Sequence, residues 1–128
     1  MTGTYERSPT TSLSAAISNA VVHLLAEYTG RGPTKARTHI SDDFVAVVLQ
    51  DTFTRGERSL VRDGKTDLVL STRKAYQQTM RTDLVAAIEQ LTGRTVRAFF
   101  SDNHVDPDIA VECFVLAPQD GTAPSVSG

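Results

Sequence analysis

A Thr-Gly-Arg triplet closes an amphipathic stretch twice in this chain, at residues 29–31 and again at 92–94. After the first triplet, a basic, β-leaning run reaches Ser41-Asp42 and then the apolar Phe44 to Leu49. After the second, Val96 to Phe100 leads into Ser101-Asp102 and then Ile109 to Leu116. Aligning the triplets sets Ile17 over Met80, Val21 over Leu84, Leu24 over Ala87, Leu25 over Ile88 and Tyr28 over Leu91, so each core position of one helix falls on an apolar position of the other. An internal repeat constrains the fold more than any local propensity, because both copies must form the same supersecondary unit and share a core.

The unit is legible residue by residue. Ile17, Ala20, Val21, Leu24, Leu25 and Tyr28 paint one helical face, Ser12 or Ser14 supplies an N-cap, and Gly30, Gly32 and Pro33 stop the helix. From Thr34 to Ile40 the pattern alternates, with Lys35, Arg37 and His39 opposing Ala36, Thr38 and Ile40, as in a half-exposed strand. Asp42-Asp43 makes a turn into Phe44–Leu49, which is apolar at both parities and reads as a central strand. Thr54-Arg55-Gly56-Glu57 matches a capping box opening a short helix that ends near Asp63-Gly64. The spacing then predicts one helix over 67–91, its face supplied by Leu68, Ala75, Met80, Leu84, Ala87, Ile88 and Leu91 and its end by Gly93. Strands at 95–100 and 109–116 flank a loop of turn residues, Asp102 to Asp108. The expected fold is α+β: two αββ halves in the order α-β-β-α-α-β-β, giving a four-stranded antiparallel sheet with helices packed on one face. The other face would carry Val and Phe side chains that need cover, which points to a homodimer.

At 128 residues and 40% apolar, the chain suits a single domain, placed at 13–117 between a flexible leader (1–12) and a flexible tail (118–128). A net charge of −2 provides no global field for a polyanion, so nucleic-acid binding would need a local basic patch. No apolar run reaches the length of a membrane span, and the first residues lack the apolar segment of a secretory signal. A cytoplasmic location is the expectation. The one cysteine, Cys113, sits in an apolar run and reads as a buried small hydrophobe.

Three constellations bear on chemistry. Arg31, Lys35 and Arg37 follow two glycines and a proline, with Arg94 and Arg97 at similar positions in the second half. Clustered cations beside free amides suit an anion, although the Gly-Lys-Ser/Thr ending of a P-loop is missing; a solvated strand edge is the competing reading. On the short helix Arg55, Glu57, Arg58 and Arg62 form either a solvated charged face or a partner-docking surface. His104, Asp106 and Asp108 alternate as a hard-cation site would require, but without the glycine and terminal glutamate of an EF-hand, and a loop held by Asx turns accounts for them better. No metal or cofactor is expected. Neither a Gly-x-Ser-x-Gly elbow nor a Cys-His signature is present, so catalysis is not expected either.

Residues 30–37 (Gly-Arg-Gly-Pro-Thr-Lys-Ala-Arg), 49–58 (Leu-Gln-Asp-Thr-Phe-Thr-Arg-Gly-Glu-Arg) and 101–108 (Ser-Asp-Asn-His-Val-Asp-Pro-Asp) together resemble the MpsC, or YbcI-like, family, a soluble component associated with Na⁺-translocating membrane-potential-generating systems. The resemblance spans about Ala15 to Pro118. It implies an accessory or regulatory protein working through protein contacts, with a membrane transporter of ions or inorganic carbon as a partner, and brings no catalytic residue set. The alternative is a domain binding a small anion or nucleic acid through the basic loops.

Overall fold

The computed structural model describes residues 12–118. Apart from Ser12 and Pro118, the segments expected to be a leader and a tail lie outside the described residues.

Helix α1 (Leu13–Thr29) begins where Ser12 Oγ accepts from the Ala15 amide at 3.1 Å. It ends where Gly30, at φ 79°, donates back to the Ala26 carbonyl. Strands β1 (Lys35–Ser41) and β2 (Phe44–Gln50) form a hairpin with Asp42-Asp43 at its tip. The short α2 (Arg55–Arg62) carries the anticipated capping box, with both the Thr54 and Glu57 bonds made. Helix α3 (Thr66–Thr92) stops at Gly93, and β3 (Val96–His104) and β4 (Ile109–Leu116) are the last of the described elements. All four strands form one antiparallel sheet in the order β1-β2-β4-β3. The predicted α+β order is therefore the observed one.

Strands β2 and β4 meet at the centre in a register from Phe44↔Val115 to Gln50↔Ile109, with Val47 opposite Glu112 at its midpoint. Helices α1 and α3 pack on each other and over β1 and β3 on one face. The core between them holds Ile17, Val21, Leu24, Met80, Leu84 and Ile88 from the helices against Val45, Val47, Leu49 and Phe114 from the sheet. The Phe99 and Phe114 rings tilt together at 5.1 Å. Near the edge, the Ser18 and Thr38 hydroxyls share a 2.7 Å hydrogen bond, which confirms that Thr38 faces the helices while Lys35, Arg37 and His39 face away.

Three expectations need correction. The second hairpin loop is shorter than 102–108, because β3 continues to His104 and pairs Asp102, Asn103 and His104 with Val111, Ala110 and Ile109. Ladder pairing overrides the turn preference of these residues, and the Asn103 side chain exchanges two hydrogen bonds with Gln77 on α3. The buried face of α3 runs through Val69, Arg73 and Gln77 into Met80, whereas Leu68 and Ala75 are exposed. Polar partners on neighbouring elements admit the arginine and the glutamine. Cys113 is half-buried on the open face of the sheet.

Candidate functional site

Three separated stretches of sequence come together at the end of the sheet where β1 starts, β2 finishes and β4 begins. Leaving β2, the chain turns sharply at Asp51, whose φ of 57° an aspartate tolerates better than most side chains. Thr34 Oγ1 donates to the Asp51 carboxylate at 2.6 Å, and Arg31 Nη2 donates to the Asp51 carbonyl at 3.2 Å. Asp51 N–H reaches the Asp108 carbonyl at 3.0 Å. The Asp108 carboxylate then takes Thr52 Oγ1 on one oxygen at 3.0 Å and the Phe53 amide on the other at 2.9 Å. Asp108 thus fastens the second hairpin to the connection leaving the first. Asp108→Ala, which frees both donors, is expected to cost about 2 kcal/mol; a chemical-denaturation midpoint indistinguishable from the parent would show that water replaces the carboxylate at no cost.

Beneath this junction lies Arg73, 2% exposed. Its Nε donates to Glu57 Oε2 at 2.8 Å and its Nη2 to Glu57 Oε1 at 2.6 Å, while Nη2 also holds the Thr52 carbonyl at 2.5 Å. The guanidinium lies over the Phe53 ring, 5.2 Å from its centroid. Burial alone would raise the Glu57 carboxyl, but hydrogen bonds from Arg73 and Thr54 outweigh it and hold the group below its ordinary value. One carboxylate therefore caps α2 and neutralises a cation from α3.

Two hollows flank this network. A cleft of about 230 Å³ between α2 and the 105–108 turn is lined by Phe53, Val61 and Val105 together with Arg58, Arg62, Asp106 and Asp108. A second, of about 280 Å³, opens where α3 passes β3; Lys74, Gln77, Arg81, Phe99, Phe100 and Ser101 line it, together with Gln78. Ser101 pairs across the ladder with Glu112, which is 2% exposed on the helix-facing side of β4. Among the described residues, Glu112 Oε1 and Ser101 Oγ have no hydrogen-bond partner. Burial pushes the Glu112 carboxyl up to about 7, against weaker opposing pulls from Ser101, Gln77 and Arg73.

The proposed anion-binding cations do not converge. Arg31 is tied to Asp51 at one end of the sheet. Arg94 sits at the other end, donating to the Asp42 carbonyl at 3.0 Å, the Asp43 carboxylate and the Ala117 carbonyl at 2.6 Å. Seven-residue strands separate these loops by roughly 20 Å. Lys35 and Arg37 are exposed on β1, and Arg97 is exposed at the bulge in β3. On α2, Arg55, Arg58 and Arg62 remain at the surface while Glu57 turns inward to Arg73. His104 Nδ1 donates to the Pro107 carbonyl at 2.8 Å, and among the described residues no group of three or more His, Cys, Asp or Glu side chains is placed to hold a metal ion.

Sequence reasoning passed over Arg73, Gln77 and Glu112 altogether and weighed Asp108 only as a metal ligand or turn residue. A signal existed for the first three: Arg73 and Gln77 fall four and eight positions after Val69 on the stripe that continues to Met80, and Glu112 alternates with Ala110, Phe114 and Leu116. Polar residues on an apolar periodicity mark a buried network. The tie made by Asp108 depends on a contact between distant segments and has no local signature.

The family model described as "Na+-translocating membrane potential-generating system (MpsC)" matches residues 10–118. No curated protein and no solved structure matches the chain. Among the described residues, no helix is long and apolar enough to cross a membrane.

Proposed function

The chain belongs to the MpsC family, and from that premise we propose that it is a non-catalytic accessory protein, cytoplasmic and homodimeric, acting by protein contact on a membrane system that transports ions or inorganic carbon. The carrying observation is the uncovered face of the sheet. Among the described residues helices occupy one side only, and the other presents Ala46, Val48, Val111, Cys113 and Val115 with Phe44 42% exposed and Phe100 60% exposed. Apolar surface of this continuity marks an interaction site.

The cleft beside α2 serves as a separate docking point for the membrane partner, with Arg58 and Arg62 lining it and Arg55 exposed on the same helix. The alternative reading, an anion or nucleic-acid site, draws less support because terminal guanidinium nitrogens of Arg31 and Arg94 already donate within the chain, to main-chain carbonyls and, for Arg94, to the Asp43 carboxylate. We also read the two αββ halves as copies of one unit, a reading supported by the symmetric register about Val47 and Glu112.

Analytical ultracentrifugation tests the self-association. The parent is expected to sediment as two chains at micromolar concentration. Val48→Asp, which places a carboxylate at the middle of the open face, should sediment as one chain with an unchanged far-UV circular dichroism spectrum. A parent that stays monomeric at tens of micromolar would sink the homodimer.

A further inference from the structure

Resting on the homodimer reading, we infer that two copies stack their open sheet faces about a twofold axis running parallel to the strands, with Arg37 of each copy paired to Asp102 of the other. Cross-strand partners share a face, and the ladders place Arg37, Val48, Val111 and Asp102 in one row across the sheet. The next row along is His39, Ala46, Cys113 and Phe100. Each row is apolar in the middle. The β1 edge of the face is basic through Lys35 and Arg37, and the β3 edge carries Asp102.

A face-to-face dimer has two possible twofold axes in the plane between the sheets. An axis across the strands lays β1 on β1 and β3 on β3, gathering Lys35 and Arg37 of both copies along one rim and leaving both Asp102 side chains on the opposite rim, away from those cations. Like charges brought together at the rim of an apolar contact oppose association. An axis along the strands, between β2 and β4, lays β1 on β3 and keeps each row over itself. Arg37 then stands over Asp102 twice, once at each edge, and Val48 over Val111 at the centre. Stacked sheets lie roughly 10 Å apart, a gap that an arginine and an aspartate side chain span between them. An axis perpendicular to the sheet joins edges and leaves the apolar face in water. The charge pattern therefore selects one arrangement and identifies the occupant as a second copy of this chain.

The test is charge reversal read by sedimentation equilibrium, with thermal midpoints confirming that each variant is folded. Arg37→Asp and Asp102→Arg are each expected to raise the dimer dissociation constant about tenfold, since each turns both rim pairs repulsive. The combined variant, with the charges exchanged, should return to within about threefold of the parent. Singles that leave the dissociation constant unchanged while Val48→Asp still yields monomers would overturn this axis and leave the homodimer standing. Singles that weaken the dimer without recovery in the combined variant overturn it as well. A monomeric parent removes both this inference and the reading beneath it.

Discussion

Replacing Arg73 by methionine is expected to destabilise the protein by about 3–5 kcal/mol, the usual cost of breaking a buried ion pair from one side. Methionine fills much of the space but leaves the Glu57 carboxylate, whose side chain is almost as enclosed as that of Arg73, facing an apolar group. It also strips the Thr52 carbonyl of its 2.5 Å donor. Glu57→Ala is expected to do similar damage from the other side and to remove the α2 cap. The double variant Arg73→Met with Glu57→Gln should recover part of the loss, because glutamine can still accept from the Thr54 amide without introducing a charge. Urea unfolding of Arg73→Met, Glu57→Gln and their combination closes a mutant cycle. Single-variant costs below about 1 kcal/mol would mean that the pair is solvated as a surface bridge is.

The second large effect is expected to stabilise. Glu112→Gln should raise stability at pH 8 by about 3 kcal/mol while changing it little at pH 4. The folded state holds the Glu112 carboxyl at about 7, against an ordinary value of 4.5. The folded protein therefore binds this proton more tightly than the unfolded chain. The associated stability is fully present below pH 4.5 and is lost as pH rises through about 7. Glutamine keeps the shape, cannot ionise, and brings an amide N–H to the unpartnered Ser101 hydroxyl. Glu57 works in the opposite sense: with its carboxyl held below 4.5, its contribution is present above that value and is lost as pH falls through the depressed one. The parent should thus be most stable near pH 5, with the alkaline decline abolished by Glu112→Gln. Denaturation midpoints at pH 4, 6 and 8 measure both arms; an unchanged alkaline decline in the variant would clear Glu112 of responsibility.

The αββ pairing was legible because its signals are local. Gly30 and Gly93 end their helices at positive φ, Thr54 and Glu57 cap α2 reciprocally, and Ile109–Leu116 alternates as written. Where periodicity and chemistry disagreed, the sequence reading followed the wrong one. In the first half of α3 it chose Leu68 and Ala75 for being apolar, whereas geometry buries Arg73 and Gln77, which find partners only in the folded chain. In β3 it broke the strand at Asp102 on turn preference, although an edge position lets Asp102 and His104 keep water while the backbone stays paired. The site is less legible still. Arg31 and Arg94, weighed as anion-binding groups against a solvated strand edge because cations after a glycine-rich turn suit anions, donate in the fold to acceptors of the chain itself: main-chain carbonyls and, for Arg94, also the Asp43 carboxylate. Nothing in one strand's sequence tells which carbonyls another strand's turn will present.

The seam between β2 and β4 has a consequence for how the molecule assembles. Each hairpin joins neighbours along the chain and can form early, whereas the central ladder must unite strands from opposite halves, with α2 and α3 between them. Closing so long a loop is slow, which places the seam late in folding. Glu112 sits at its midpoint and must shed its hydration as the seam closes. Refolding should accordingly slow as the solution becomes alkaline, the price of an acid at the last joint to shut.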